Sequence, residues 1–377
     1  MNSEALVNAK DSIIAVCDLD STSVASSADY SPAFSVELDT SRFDVLPNLY
    51  QPPPPSLPNL NASDIEFFQH YIDVASASLS DKPSHKGIWQ SNVAEAALPY
   101  DFLQHAVISF SASHLAHFTS PNQRSFYENK AVLHRNLALR FSMHALQHVT
   151  PANCHALFAF SSIIALSTFA LPEPTSANTV CPVDNIVTFL ALIKGTSIVL
   201  EGGRDWIRAG KFAGLLDHSR FAWRLSACPL PEILRLPFQQ LREWNAKTPL
   251  SARKICTEAI ENLEAAIRAY DMIVDDRTLV FIWCAIVSPE YVALVKRRLP
   301  MSLVILAHYA VLLHSVRNQW WSADWGRRII NAVYEMLDED WKPAVEWPLE
   351  TVEGKQSPFH ASSGFLDVDE ADITMSI

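Results

Sequence analysis

Histidine pairs have the spacing that comes closest to a metal site in this sequence. His114 and His117 are three residues apart and His144 and His148 are four apart, so each pair lies on one face of a helix. Two imidazoles placed in this way can share a metal ion, but a stable site needs a third ligand and usually a carboxylate nearby. The spacing supplies neither, and we therefore expect packed or helix-capping histidines and no bound metal.

The cysteines are scattered singly along the chain. No two of them have the short spacing of a zinc site or of a redox pair. Isolated cysteines of this kind are typical of buried apolar residues in a reducing compartment, so we predict no zinc site and no disulfide framework. The six are Cys17, Cys154, Cys181, Cys228, Cys256 and Cys284.

Two aspartates near the start of the chain have the spacing of a phosphatase motif. The short apolar run 12–16 is followed by Asp18-Leu19-Asp20-Ser21-Thr22. In phosphatases of the haloacid-dehalogenase type, a strand presents one aspartate as nucleophile and a second as acid and base beside a magnesium ion. That fold needs alternating strands and helices, whereas a Ser-rich stretch and a proline run follow here. We therefore expect no phosphatase site.

A second acidic pair, Asp275-Asp276, resembles the start of the magnesium-binding motif of terpene cyclases. The third acid of that motif is missing, since Arg277 follows, and we expect a solvated pair beside a helix. The sequence also lacks the motifs of serine hydrolases, zinc peptidases and phosphate-binding loops. We predict that the chain is not an enzyme and needs no cofactor.

The charge distribution argues against direct binding to nucleic acid. The chain of 377 residues has a net charge of −12. Residues 1–46 carry eight acids and two bases, and residues 350–377 carry six acids and one base, so the middle is almost neutral. Phosphate contacts need clustered Lys and Arg. With only 9 glycines, the chain is also poorly suited to an enzyme whose backbone must approach a nucleotide.

The order of compositions along the chain predicts one helical domain between two acidic tails. We expect a disordered acidic segment at 1–46, a proline-rich linker at 47–60, a helical domain at 61–348 and an acidic tail at 349–377. Apolar residues recur at helical spacing throughout the third segment, and strand alternation is nearly absent. The predicted fold class is all-α, a single large multi-helix domain with disordered acidic tails at both ends.

Local signals predict where several helices begin and which of their faces is buried. Ser63 followed by Glu66 is a capping-box pattern, and Ile65 opens a stripe that we expect to face the core. Ser288 before Pro289 predicts a cap and a helix start. The uncharged stretch 141–172 has a dense apolar part shorter than the roughly 20 residues that cross a bilayer. We expect a buried helix there and no membrane span.

The C-terminal tail interleaves acids with bulky apolar residues over positions 365–373. This pattern is typical of activation segments, in which the charges keep the apolar groups available to a partner. An ordinary acidic tail is the alternative.

Several phrases of the helical segment stand in an order that is found in a known family. They are 98–107 (LPYDFLQHAV), 110–116 (FSASHLA), 153–162 (NCHALFAFSS), 192–195 (LIKG), 303–313 (LVILAHYAVLL), Trp320-Trp321, Trp325-Gly326 and 346–348 (EWP). In this order they resemble the C-terminal regulatory domain of fungal zinc-cluster transcription factors of the sterol uptake control type. The similarity extends over residues 61–348, about three quarters of the chain.

The resemblance implies an all-helical effector domain of a nuclear regulator of sterol, lipid or secondary-metabolite genes. Its implied partners are the transcription machinery, a DNA-bound transcription factor and a sterol or other lipophilic molecule; a homodimer and shuttling through the cytoplasm are compatible with it. Family members carry six closely spaced cysteines that hold two zinc ions, whereas residues 1–60 contain one cysteine and two basic residues. We therefore expect no direct nucleic-acid contact from residues 1–60. Either the chain is a stand-alone effector, or an upstream exon is missing.

An apolar pocket is also implied by the resemblance, and aromatic side chains with a few polar groups are typical walls for it. The candidates are Phe158, Phe160, Trp283, His308, Trp320 and Trp321. Two other functions stay open. One is a lipophilic-ligand carrier without a role in transcription. The other is an enzyme of a biosynthetic cluster that reuses the pocket, for which Asp275, Asp276 or a histidine would be essential.

Overall fold

The structure of the chain is a computed structural model that describes residues 61–80, 82–170, 181–216, 229–272, 277–322, 324–354 and 358–359. Within these ranges the regular elements are helices and there is no strand, which confirms the prediction of an all-α fold. Several sequence features lie outside the described residues. They are the segment 1–46 with Cys17, Asp18 and Asp20, the linker 47–60, Cys228, Asp275, Asp276 and the acidic pattern 365–373.

The described residues contain fourteen α-helices. They are α1 (Ala62–Asp73), α2 (Pro83–Gly87), α3 (Val93–Ala97), α4 (Asp101–Phe118), α5 (Pro121–Gln147), α6 (Cys154–Ala170), α7 (Pro182–Arg208), α8 (Glu232–Ala246), α9 (Leu250–Met272), α10 (Ile282–Ile286), α11 (Pro289–Lys296), α12 (Pro300–His314), α13 (Trp325–Met336) and α14 (Glu346–Glu353). Short 3₁₀ turns lie at Ala75–Leu79, Arg277–Phe281 and Lys342–Val345, and one π turn lies at Ile88–Asn92.

Helix α12 is the centre of the C-terminal half. Every residue from Met301 to His314 is buried, and the helix contains no Asp, Glu, Lys or Arg. A helix that is apolar on all sides has no face to offer to water, so other helices must enclose it. Helices α8, α9, α11, α13 and α14 all contact α12 and together provide that enclosure.

Helix α4 has the same role in the N-terminal half. Thirteen of its 18 residues are buried, and α1, α3, α5 and α6 pack around it. Ser109 Oγ donates a hydrogen bond of 2.8 Å to the carbonyl oxygen of Ala131, which fixes α5 against α4. Since His105 also meets His134, the two helices lie antiparallel.

Tryptophans join the two halves. The Trp325 Nε1–H at the start of α13 donates a hydrogen bond of 3.0 Å to the carbonyl oxygen of Phe169 in α6. Trp320, in the turn after α12, packs edge-on against Phe110 of α4 with ring centroids 5.2 Å apart. One continuous apolar core therefore runs from α1 to α14.

The start of α1 differs from the sequence prediction. Asn61, and not Ser63, caps the helix: its side chain accepts a hydrogen bond from the Asp64 N–H, and the Asp64 carboxylate accepts one from the Asn61 N–H. The predicted buried stripe is also wrong at its first residue, since Ile65 is 64% exposed. Phe67 and Tyr71 face the core instead, so the buried face of α1 is turned relative to the predicted one.

Other local predictions are confirmed. Ser288 caps α11 by accepting a hydrogen bond from the Tyr291 N–H, and Pro289 is the first helical residue. The apolar stretch after position 153 forms the buried helix α6.

In the described part of the chain no single helix has the length and composition to cross a bilayer. Arg277–Ile286 and Pro289–Lys296 have this length and composition only when taken together, and the two segments meet at 91°. Helix α14 extends past position 348, and Phe359 is buried against Tyr270.

Helix α13 passes closely over α12 at Gly326. A Cβ atom at this position would lie 2.6 Å from the carbonyl oxygen of Ala310 and 2.6 Å from His314 Cβ. Both atoms belong to α12, so neither can move away without disturbing the core.

We predict that Gly326→Ala lowers the free energy of unfolding by about 1–3 kcal/mol, because the added methyl overpacks the crossing. Gly87→Ala is the matched control, since nothing lies within 4 Å of a Cβ there. It should leave the stability unchanged or raise it by about 0.5–1 kcal/mol. Urea denaturation followed by circular dichroism measures both. Equal stabilities of the two variants would contradict the close crossing.

Candidate functional site

The six residues predicted to line a pocket are all buried, with exposed fractions between 0% and 8%. They lie in separate parts of the core, however. Phe158 and Phe160 belong to α6, and the ring of Phe160 meets Phe102 of α4 at 5.5 Å. No ring contact among the described residues joins any two of the six. The pocket they were expected to share stays a prediction.

Trp283 lies in the most closed of these surroundings. Its ring stacks on Tyr309 at 4.4 Å, and its Nε1–H donates a hydrogen bond of 3.0 Å to the carbonyl oxygen of Ala259. The hydroxyl of Tyr309 in turn contacts the Cys284 sulfur at 3.0 Å. Burial raises the pKa of the Cys284 thiol to about 12, so this cysteine is an inert core residue. Each polar atom of Trp283 and Tyr309 is thus already paired within the protein.

His308 is the polar group at the middle of α12. Its Nδ1 lies 2.9 Å from the carbonyl oxygen of Val304, to which it donates, and its ring stacks on Trp347 of α14 at 5.3 Å. Complete burial lowers the pKa of His308 to about 4, because a charged imidazolium there would lose its hydration. His308 is therefore neutral at physiological pH.

Trp320 differs from the other five because its polar atom is unpaired. The Trp320 Nε1–H is buried and has no hydrogen-bond partner among the described residues. Its neighbour Trp321 donates to the carbonyl oxygen of Ser78 over 3.4 Å. An unmade hydrogen bond inside a protein costs free energy, so such a donor marks a place where an acceptor from a ligand or a water would be stabilised.

Histidines surround the Trp320 ring on the side of α4. His114 meets it at 5.0 Å and His117 at 6.0 Å between ring centroids, and His70 Nε2 lies 3.2 Å from His114 Nδ1. Burial, together with the nearby His70 and His117, lowers the pKa of His114 to about 4. This histidine side of the Trp320 ring reaches the surface at Phe118, which packs on His114 and is 65% exposed. We call Trp320, His70, His114, His117 and Phe118 the Trp320 cluster.

A second polar cluster, which the sequence did not indicate, links α1 to α4 and α5. His134 Nε2 lies 3.2 Å from Asp64 Oδ1, and His105 Nδ1 lies 2.9 Å from His134 Nδ1. Lys130 adds a longer contact of 3.8 Å to the same carboxylate oxygen. The three main partners come from three different helices, at positions 64, 105 and 134, so no local spacing could reveal them.

One pair of tautomers suits these distances. If His134 carries its proton on Nε2, facing Asp64, its Nδ1 can accept the Nδ1–H of His105. Burial and the neighbouring His105 lower the pKa of His134 to about 4 despite the attraction of Asp64, and burial also lowers the pKa of His105. Two neutral imidazoles therefore connect the buried carboxylate to α4, and the cluster acts as a structural clamp.

Metal binding was not expected at the histidine pairs, and the described residues contain no group of three or more His, Cys, Asp or Glu that could hold a metal ion. His114 and His117 lie in the Trp320 cluster, while the rings of His144 and His148 pack together at 5.3 Å near the end of α5. All four described cysteines are free, and Cys154, Cys256 and Cys284 are buried.

A surface groove of about 380 Å³ lies between α13 and α14. It contains none of the six predicted residues, and its lining, half of which is glutamate, is unsuited to a lipophilic molecule. The lining residues are Tyr334, Glu339, Lys342, Pro343, Glu346, Leu349, Glu350 and Glu353.

Residues 66–174, which extend from α1 through α6, match the family described as fungal specific transcription factor domain. A Zn(2)-C6 fungal-type transcription factor of Gibberella zeae is 23% identical over 309 residues, which cover 76% of this chain and 61% of that protein. Sterol uptake control protein 2 of Saccharomyces cerevisiae is 32% identical over 113 residues, or 30% of this chain and 12% of the relative. Its counterpart in Candida albicans is 26% identical over 158 residues, or 41% and 21%.

The chain thus spans less than two thirds of the length of each of these relatives. The matched region contains α1, α4 and α5, and with them the Asp64 clamp and the histidine side of the Trp320 cluster, although Asp64 itself precedes the first matched residue by two positions. The resemblance proposed from the sequence phrases is confirmed.

We predict that Asp64→Ala lowers the free energy of unfolding by about 2–4 kcal/mol, because it removes the carboxylate half of the capping box and leaves buried partners unpaired. Ser63→Ala is the matched control, since the exposed Ser63 hydroxyl only donates to Asn61 Oδ1. Its effect should stay within about 0.5 kcal/mol. Thermal and urea denaturation measure both. If Ser63→Ala lowered the stability more than Asp64→Ala, Ser63 would be the cap of α1, as the sequence predicted.

Acidification should destabilise the protein through His308. Its pKa is about 4 in the fold and about 6.5 in the unfolded chain, so its full contribution is present above pH 6.5 and is lost as the pH falls from 6.5 to 4. The loss is on the order of 3 kcal/mol. In His308→Phe, which keeps an aromatic ring beside Trp347, the fall in stability over this window should shrink by that amount.

Val304→Ala, on the same helix, is the control for His308→Phe. It should lower the stability at every pH without changing the dependence on pH, because no titrating group is removed. An unchanged pH dependence in His308→Phe would show that His308 does not titrate with this pKa.

Proposed function

Because the chain carries an effector-type region of a fungal transcription factor, we propose that it is a transcriptional regulator that acts in the nucleus. The observation that supports this most directly is the match of residues 66–174, which coincides with the complete set of helices packed around α4. The relatives are transcription factors and sterol uptake control proteins, and none is named as an enzyme. We therefore propose a regulatory and not a catalytic role.

We further propose that residues 1–60 do not contact nucleic acid directly. They contain one cysteine and two basic residues, which are too few for a two-zinc cluster or for phosphate contacts. The regulator is then carried to DNA by groups outside the described helices, such as a DNA-bound transcription factor. Its own contribution is contact with the transcription machinery, and the acidic pattern at 365–373 is suited to that role.

A lipophilic ligand is the proposed signal, and the Trp320 cluster is its proposed entry point. The unpaired Trp320 Nε1–H would donate to a hydroxyl or carbonyl oxygen. Phe110, which packs on Trp320, and Phe118, which packs on His114, offer apolar surface nearby. The neutral histidines favour an uncharged polar group over an ion. These features fit a sterol or a related lipophilic metabolite, the class that the names of two relatives suggest. The other five predicted residues stay a prediction, since no ring contact among the described residues joins any of them to Trp320.

The genes under control are proposed to be those of sterol, lipid or secondary-metabolite synthesis. We predict that deletion of the gene lowers or raises the messenger RNA of a compact set of such genes, and that the wild-type chain restores it. Transcript and metabolite profiles of the same cultures measure this. If metabolites change while transcripts stay constant, the regulatory role is wrong, and a carrier or enzyme takes its place.

A complementation with Trp320→Phe tests the ligand site within the same experiment. The variant keeps the ring contacts but loses the Nε1–H, so the fold should persist while the response of the transcripts to added or depleted sterol is reduced. Trp341→Phe is the matched control, because Trp341 packs on Trp244 at 5.5 Å, outside the Trp320 cluster. An undiminished response in Trp320→Phe would exclude the cluster as the ligand site.

A further inference from the structure

The outer side of α5 carries a row of exposed apolar residues. Phe126 is 53% exposed, Leu133 36% and Met143 47%, and Arg140, also exposed, lies between the last two. Their spacings of seven, seven and three residues place all four on one stripe of the helix, opposite the face that packs on α4. Phe126, Leu133, Arg140 and Met143 are called the α5 outer surface. Apolar residues at such spacings on an exposed helix are typical of a docking site.

Arg140 is the base within this surface. Its side chain is exposed, and no ion pair joins it to a carboxylate in the described part of the chain. Arg135 lies two residues beyond Leu133 and therefore on a different side of the helix. A carboxylate placed beside the apolar residues of the α5 outer surface would thus meet the guanidinium of Arg140.

Helix α5 is basic as a whole. It carries Arg124, Lys130, Arg135 and Arg140 against a single acid, Glu128. In the described part of the chain, only Lys130 of these four bases meets a carboxylate, that of Asp64. Three arginines thus remain uncompensated along one helix.

The chain itself contains a segment of matching chemistry. Residues 11–20, with the sequence DSIIAVCDLD, combine three aspartates with four bulky apolar residues and no base. Residues 1–46 as a whole have a net charge of −6. These are the residues whose aspartate spacing resembles a phosphatase motif.

The chain is long enough for this segment to reach α5. The first described residue, Asn61, caps α1, and Asp64 one turn later lies against Lys130 and His134 in the middle of α5. The forty residues between position 20 and Asn61 can reach well beyond the roughly 40 Å length of α5, at about 3.3 Å per extended residue. At the other end of the fold, Phe359 packs on Tyr270 of α9 instead.

We propose that the α5 outer surface is an intramolecular docking site for residues 11–20 of the same chain. The apolar residues of the segment cover Phe126, Leu133 and Met143, and its aspartates pair with Arg140. This inference does not depend on the proposed function. It gives the acidic N-terminal segment a state in which its apolar groups are covered and a state in which they are available to a partner.

Cys17 makes the proposal testable in the intact chain, because it stands next to Asp18. With Leu133→Cys, mild oxidation should form a disulfide between Cys17 and the cysteine introduced at position 133. Docking raises the local concentration of the two thiols, so we expect a yield at least about fivefold above that of the control Leu250→Cys. Leu250 is 79% exposed and lies at the start of α9. Peptide mapping by mass spectrometry identifies the linked pair and separates it from any disulfide between native cysteines.

Charge variants test the pairing itself. Asp18→Lys with Asp20→Lys, or Arg140→Glu, should each reduce the yield at position 133 to that of the control, and added salt should reduce it gradually. The aspartate variants leave the helical domain unaltered, so a loss there is not a folding effect. Met143→Cys serves as a second probe if Leu133→Cys does not fold.

Three results would overturn the proposal. The first is a yield at position 133 equal to that at position 250, and the second is a high yield that does not respond to the charge variants. The third is seen when chains of two isotopic compositions are mixed: disulfides that join different chains would assign the surface to a second copy. Disulfides confined to one chain support docking within it.

Discussion

The burial of α12 on every side is the constraint on which the rest of the fold depends. Fourteen consecutive residues, from Met301 to His314, contain no charged side chain and all lie inside the protein. Because such a helix gains nothing from water, it is stable only when several other helices enclose it. This explains why α13 must approach closely enough to require Gly326, and why α8, α9, α11 and α14 are arranged around one axis.

Polar groups inside this core set the register of the helices. Apolar packing has little directional preference, whereas a buried donor or acceptor is stable only beside one particular partner. Three hydrogen bonds each tie a side chain to a backbone carbonyl of another helix: Trp325 to Phe169, Trp283 to Ala259 and Ser109 to Ala131. The Asp64 clamp does the same for α1, with two neutral histidines as intermediates.

Trp320 gives a physical route from a ligand to the whole domain. It lies in the turn that follows α12 but packs on α4, so it touches the centres of both halves. A molecule that accepts its free Nε1–H would therefore act on the junction and not on one helix alone. Helix α5 packs on the other side of α4. Docking of residues 11–20 on α5 would therefore be a second event that acts on α4.

The sequence by itself determined the fold class, most helix positions and the resemblance to a known family, because the period of apolar residues and the order of the phrases are properties of the chain alone. Ser288 before Pro289 predicted a cap correctly, since a cap depends on neighbours in sequence. The buried face of α1 was decided only by tertiary structure, because packing against α4 and α5 buries Phe67 and Tyr71 and leaves Ile65 exposed. The Asp64 clamp and the unpaired Trp320 donor are likewise invisible in sequence, because each depends on residues from distant helices that meet only after packing.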